Sequence, residues 1–156
     1  MTLGIRKIIS GGQTGVDRAA LDIALENGIE IGGYVPKGRL AEDGRIPDKY
    51  PNLMETDTGD PAERTELNVI HSDATLIISG GDLSGGSKLT AEFAAKHKRP
   101  FLHIDLSAAG FDKAIEKTKE WLHSIECNTL NIAGPRASED KEIYQKAKQF
   151  LKLLFL

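Results

Sequence analysis

The chain has 156 residues, 40% of them hydrophobic, and a net charge of −3. Its length predicts one folded domain over residues 1–156, and its hydrophobic fraction excludes a disordered chain. The small acidic excess argues against nucleic-acid binding, and the single cysteine excludes an intrachain disulfide framework. No apolar run approaches the roughly 20 residues that cross a bilayer, so we expect a cytoplasmic protein without a membrane partner.

Apolar patterns along the chain alternate between strands and helices. Runs rich in β-branched residues predict five strands, at residues 5–10, 29–35, 74–79, 100–105 and 129–133. Apolar residues at helical spacing predict five helices, from residue 16 to a stop at Gly28 and over 61–72, 89–97, 111–122 and 143–154. This alternation predicts an α/β/α domain with five parallel strands and helices on both faces of the sheet.

Residues 36–59 interrupt the alternation and show no regular period. Loops of this length in a compact domain are often lids. The segment contains four basic and five acidic residues, for a net charge of −1. A solvated loop and a lid that grips phosphate are therefore equal alternatives.

Glycine is the unusual component of the composition. Eight of the 16 glycines fall in three segments, 10–15, 79–88 and 134–138, and each segment directly follows a predicted strand. Parallel sheets bind ligands at the carboxyl ends of their strands, and glycine turns before helices present backbone N–H groups to anions. We therefore predict one small anionic, phosphate-bearing ligand at the three segments. Tight turns and close helix packing are the structural alternative.

The predicted ligand-binding residues come from these segments and from the helix starts that follow them. They are Gly11, Gly12, Gln13, Thr14, Gly15, Asp17, Gly80, Gly81, Gly85, Gly86, Ser87, Lys88, Thr90, Gly134 and Arg136.

The standard nucleotide-binding motifs do not match. A Walker motif ends in Gly-Lys-Ser/Thr, whereas residues 81–87 end in Gly-Ser. The dinucleotide fingerprint G-x-G-x-x-G does not fit residues 11–15, and the second strand ends in Tyr34-Val35-Pro36 instead of the required acid. We therefore expect no NAD. The histidines lack metal-ligand spacing, so we predict no metal site.

Five motifs follow one another along nearly the whole chain: GGQTGVDR at 11–18, RTELNV at 64–69, SDAT at 72–75, GGSKLTAE at 85–92 and GPR at 134–136. Together they resemble the molybdenum-cofactor carrier family, a circularly permuted branch of the SLOG nucleotide-binding superfamily that includes the Lonely Guy phosphoribohydrolases. The resemblance implies a Rossmann-like, doubly wound sheet and a carrier that holds the molybdenum cofactor, molybdopterin, non-covalently.

The resemblance also implies an alternative activity. Glu92 lies seven residues after Gly85, and Arg64 lies eight before Ser72, as the functional carboxylate and arginine do in Lonely Guy enzymes. These candidates would make a nucleoside 5′-monophosphate phosphoribohydrolase, in which Glu92 acts as general acid or base and Arg64 holds the phosphate. Lys88 and the residue after it replace the Gly-Thr pair of those enzymes. A nucleotide-sensing interaction protein is a further alternative.

The permutation predicts where each strand lies. The last predicted strand corresponds to the central first strand of the unpermuted superfamily, which gives the order 2-1-5-3-4 and sets the three glycine segments side by side. Apolar residues near the C-terminus indicate a self-association surface and hence a homo-oligomer. They are Phe150, Leu153, Leu154, Phe155 and Leu156.

Overall fold

The predicted alternation appears in a computed structural model, which describes residues 3–108 and 110–156. The strands are β1 (Lys7–Ile9), β2 (Glu30–Val35), β3 (Leu40–Ala41), β4 (Gly44–Arg45), β5 (Leu53–Glu55), β6 (Ala74–Ser79), β7 (Phe101–Asp105) and β8 (Thr129–Ala133). The helices are α1 (Val16–Glu26), α2 (Pro61–Ile70), α3 (Gly85–Lys96), α4 (Phe111–Ser124) and α5 (Ile143–Leu154).

Six parallel strands form the main sheet, in the order β5-β2-β1-β8-β6-β7. The last strand of the chain lies between β1 and β6, so the predicted order 2-1-5-3-4 and the Rossmann-like α/β class are confirmed. The predicted count of five strands is wrong, because β5 pairs with β2 from Gly33↔Leu53 to Val35↔Glu55. Three residues are too few to show the alternation that marks a strand in sequence.

The helices cover the two faces of the sheet. Helix α5 contacts α1 and α4 on one face, and α2 packs against α3 on the other. Between these layers every residue of β6 is buried, as expected for a central parallel strand with both faces covered. In the part of the chain that the structure describes, no helix has the length and apolar character needed to cross a membrane.

The C-terminal helix corrects one expectation. Phe150 and Leu154 are 0% and 1% exposed, so they belong to the core and not to a free surface. The helical period places them on the face of α5 that packs against α1 and α4. Leu153 and Leu156 remain exposed, so the apolar patch is smaller than predicted.

Helix α3 begins at Gly85, four residues before the predicted start. Ser84 is extended, and its carbonyl accepts hydrogen bonds from the amides of Ser87 and Lys88. Gly85 and Gly86 therefore form the first helical turn. Their amides lie at the positive end of the α3 dipole, where anions are stabilised.

The segment 36–59 is packed onto the domain. It contains the antiparallel ribbon β3–β4 and the edge strand β5. Ile46 and Tyr50 are 0% and 3% exposed, and Asp43 accepts hydrogen bonds from both terminal nitrogens of Arg18, at 3.0 and 2.9 Å. The ribbon is thus held against α1 and the first glycine segment, which a freely solvated loop would not be.

Candidate functional site

The order of the strands brings the three glycine segments together at the carboxyl ends of β1, β8 and β6. A cavity of about 210 Å³ opens there between α2 and the N-terminal ends of α1 and α3. Among the predicted site residues, those that line this cavity are Gly11, Gln13, Asp17, Arg64, Gly85, Gly86, Ser87, Thr90, Gly134 and Arg136. Those outside its lining are Gly12, Thr14, Gly15, Gly80, Gly81, Lys88 and Glu92.

Two of the glycines let neighbouring segments approach closely. A Cβ on Gly15 would lie 2.3 Å from the carbonyl oxygen of Pro135, and a Cβ on Gly134 would lie 2.2 Å from that of Ile78. Any side chain at either position would push the three turns apart. Gly15 and Gly134 therefore serve close packing, the structural alternative to ligand contact, and their role is to bring the cavity walls together.

The backbone amides of the first segment are largely committed to protein acceptors. The N–H groups of Gly12 and Gln13 donate to Ser10 Oγ and Asp17 Oδ2, each at 3.2 Å. The N–H of Thr14 donates to Gln13 Oε1 at 3.0 Å. This segment therefore shapes the wall of the cavity, and its direct contact with a ligand stays a prediction.

Arg64 crosses the first segment and pairs with Asp17 at the wall of the cavity. Its Nη1 lies 3.2 Å from Asp17 Oδ2, and the two side chains are 11% and 8% exposed. A Cβ on Gly11 would lie 1.7 Å from the same Nη1, so only glycine leaves room for the guanidinium. Burial raises the pKa of Asp17, and the charge of Arg64 opposes this rise. The pair fixes a guanidinium in the cavity wall beside a carboxylate of reduced acidity.

The first turn of α3 provides a hydroxyl without a partner. Ser87 is 3% exposed and lines the cavity. Among the buried side-chain nitrogen and oxygen atoms of the described residues, only Ser87 Oγ has no hydrogen-bond partner. The side chain of Ser84, the N-cap residue, makes no capping hydrogen bond. Buried polar groups are nearly always paired, so this hydroxyl is an unused donor in the cavity wall, and its contact with an anionic ligand stays a prediction.

The third segment places Arg136 at the rim of the cavity between two carboxylates. Its Nε lies 3.6 Å from Glu42 Oε1 and 3.5 Å from Glu139 Oε1. Glu42 also accepts hydrogen bonds from Ser138 Oγ at 2.6 Å and from Thr14 Oγ1 at 2.5 Å. The hydrogen bond from Ser138, followed by that from Thr14, lowers the pKa of Glu42. The chain's own carboxylate thus occupies donors that we expected to face a ligand.

Ser79 and His103 form a pair that the sequence did not reveal. Ser79 Oγ lies 2.6 Å from His103 Nε2 and donates to the carbonyl of Gly81 at 2.5 Å. Ser79 is 1% exposed, and burial lowers the pKa of His103. Ser79 therefore links His103 to the turn at Gly80 and Gly81.

Asparagines on two elements also line the cavity and were missed. Asn131 lies in β8, is 2% exposed and donates from Nδ2 to Thr75 Oγ1 at 3.3 Å. Asn68 lies in α2, and its amide exchanges two hydrogen bonds with the backbone of Tyr34. A polar residue inside the apolar strand sequence TLNIA was the available signal for Asn131.

Glu92, the second residue of the predicted catalytic pair, lies outside the cavity. Glu92 is exposed on α3 and is not part of the cavity lining, whereas Arg64 is. Lys88 is likewise exposed outside the lining. The carboxylates at the cavity belong instead to Asp17 and Glu139.

Side chains that could hold a metal are scarce around the cavity. Within residues 3–108 and 110–156, no group of three or more His, Cys, Asp or Glu side chains could hold a metal ion. Cys127 precedes β8, at the opposite end of the strand from the cavity, and burial raises the pKa of its thiol to about 12.

Comparisons with known proteins agree with this architecture. The model of the "Circularly permutated YpsA SLOG family" matches residues 8–155. The crystal structure, at 1.45 Å resolution, of a "Putative molybdenum carrier protein" from Syntrophus aciditrophicus SB is similar to this chain with a TM-score of 0.96 and 53% identity. The likeness covers 98% of this chain and 96% of that one. A comparison with curated proteins finds no match.

Proposed function

Since this chain belongs to the circularly permutated YpsA SLOG family, as its motifs predicted, we propose that it holds a phosphate-bearing small molecule non-covalently in the cavity. The family and the molybdenum carrier relative support a carrier or binding role. Molybdopterin, as the molybdenum cofactor, and a nucleotide are the two ligands that this proposal names.

The single observation that carries the proposal is the unpartnered hydroxyl of Ser87. It lies in the first turn of a 12-residue helix and lines the cavity together with Arg64 and Arg136. A phosphate oxygen would satisfy the hydroxyl and the free amides of the helix terminus at once. Arginine adds a planar pair of donors that matches two phosphate oxygens.

The residues present fit the phosphate end of molybdopterin. Ser87 and the α3 terminus would hold the phosphate, and Asn131 lines the same cavity. A cavity of about 210 Å³ is smaller than the roughly 300–1,000 Å³ of typical ligand sites, so the rest of the ligand would extend over the rim. When bound, the cofactor would bring its own ligands for molybdenum, and this chain would supply binding and orientation.

The phosphoribohydrolase alternative requires Glu92 and Arg64 to meet at one ligand. Arg64 lines the cavity, whereas Glu92 is exposed outside it. Because a general acid or base must reach the reacting group within hydrogen-bond distance, this arrangement favours binding without hydrolysis. Incubation with nucleoside 5′-monophosphates and an assay for free base tests the choice. Release of base that disappears in Glu92→Ala would overturn the carrier proposal.

The test of binding uses the purified chain and two serine variants. We expect the absorbance spectrum and the mass of the native protein to reveal a retained pterin or nucleotide. For protein stripped of ligand, titration calorimetry with adenosine 5′-monophosphate should show binding that Ser87→Ala weakens. Ser84→Ala, on the same helix end but outside the cavity lining, is the matched control. Equal affinity in all three proteins would refute the assignment of Ser87.

We further propose that the chain acts in the cytoplasm as a homo-oligomer. The exposed side chains of Leu153 and Leu156 support self-association. Light scattering at several concentrations should give a mass above that of one chain, and Leu153→Lys should lower it. A monomer at every concentration would contradict this proposal.

A further inference from the structure

We propose that Glu139 is an internal competitor for the anion site at the α3 terminus, so that an incoming phosphate group binds by displacing the carboxylate of Glu139. This inference rests on the proposed function, because it concerns the same cavity. It assigns a role to a residue that the sequence motifs did not single out.

Glu139 lies next to the N-terminus of α3. A Cβ placed on Gly85 would lie 3.3 Å from Glu139 Oε2, so this carboxylate stands against the first residue of α3. Gly85 has a φ of +51° and follows a serine that does not cap the helix. A negative charge is stabilised at such a terminus, and Glu139 supplies one from the chain itself.

The hydroxyl donor of Ser87 near Glu139 remains without an acceptor. Ser87 Oγ is buried without a partner although Glu139 lines the same cavity. The carboxylate therefore provides charge at the terminus without satisfying the hydroxyl. A phosphate, with more oxygens, would satisfy both, which gives it an advantage over the carboxylate that it replaces.

The side chain of Glu139 is held by a weak ion pair. Its side chain is 30% exposed, and its ion pair with Arg136 is 3.5 Å long. Exposed ion pairs of this kind contribute little to stability, so the side chain can rotate away at small cost. Displacement would leave Arg136 with one carboxylate, Glu42, whose Oε1 lies 3.6 Å from its Nε.

The test replaces Glu139 by glutamine, which keeps the shape of the side chain and removes its charge. Titration calorimetry should show that Glu139→Gln binds adenosine 5′-monophosphate and inorganic pyrophosphate about threefold to tenfold more tightly than wild type. Its affinity for adenosine, which carries no phosphate, should be unchanged. Glu142→Gln, an exposed neighbour at the start of α5, is the matched control and should bind like wild type.

The outcomes separate this inference from the proposed function. If wild type binds the two anions and Ser87→Ala weakens that binding, the proposed function stands. Equal or weaker anion binding by Glu139→Gln would then overturn the competitor role alone. Weaker binding of both adenosine and its monophosphate would show that Glu139 contacts the base of the ligand instead. Absence of anion binding by wild type and by Glu139→Gln would overturn both proposals.

Discussion

Replacing Ser87 by alanine should make the protein more stable. The hydroxyl of Ser87 is buried and unpartnered, and leaving such a group without a hydrogen bond costs about 1–3 kcal/mol. Alanine removes that cost and slightly favours the helix. We expect the free energy of unfolding to rise by about 1–2 kcal/mol, which corresponds to about 2–8 °C in melting temperature for a chain of this size.

The same substitution should weaken the binding of a phosphate. A hydrogen bond to a charged group contributes about 1.5–3 kcal/mol, so the dissociation constant for adenosine 5′-monophosphate should rise about 10-fold to 150-fold. The two effects have opposite signs, which is typical of a group kept for binding at the expense of stability. Urea denaturation without ligand and titration calorimetry with it measure them separately.

Ser84→Ala controls for the loss of a hydroxyl at the same helix end. Ser84 is exposed and makes no capping hydrogen bond, so both quantities should change little. The reasoning would be refuted if Ser87→Ala lowered the free energy of unfolding by more than about 1 kcal/mol and left the affinity unchanged. That result would show that the hydroxyl has a structural partner.

Two further predictions concern the glycine segments. Gly11→Ala should weaken binding of adenosine 5′-monophosphate about tenfold, because its Cβ would lie 1.7 Å from Arg64 Nη1 and would displace the guanidinium. Unchanged affinity would show that Arg64 does not contact the ligand. Gly15→Ala, at another glycine of the same segment, should lower the free energy of unfolding by about 2–4 kcal/mol, because its φ is +81° and a carbonyl oxygen would lie 2.3 Å from the new Cβ. Glu42→Gln should be less stable than wild type at pH 7, since hydrogen bonds, first that from Ser138, lower the pKa of Glu42 in the folded state. A carboxyl whose pKa is lowered by folding stabilises the fold at pH values above its unfolded pKa of 4.5. It loses that contribution as the pH falls through its folded pKa, so the denaturation curves of variant and wild type should converge in acid. A difference that stays constant with pH would contradict the assignment.

Most of the fold could be predicted from the sequence because its signals are local and repeated. Buried β-branched runs such as 74–79 mark strands wherever they occur. The position of β8 in the middle of the sheet came from the resemblance to a permuted family, since periodicity alone does not order parallel strands. The strand Leu53–Glu55 was missed, because three residues depend on pairing with β2 for their conformation.

The site could be predicted only in outline. The glycine segments indicate the edge of the sheet where the cavity opens, but their sequences do not distinguish a glycine that faces a ligand from one that allows close packing. Gly15 and Gly134 are fixed by carbonyl oxygens from distant parts of the chain. Asn131 and Glu139 reach the cavity through the tertiary fold, so no short motif contains them.

The charges at the cavity determine how strongly a chain with a net charge of −3 would bind the proposed anion. Each arginine that lines the cavity already faces a carboxylate of the chain: Arg64 faces Asp17, and Arg136 faces Glu139 and Glu42. A ligand therefore gains only the difference between its own contacts and those that it replaces. This exchange lowers affinity relative to a site of unpaired cations, and a smaller affinity means faster release. A protein that binds cargo in order to hand it on requires such release, so the paired arginines fit a carrier better than they fit a permanent holder of a cofactor.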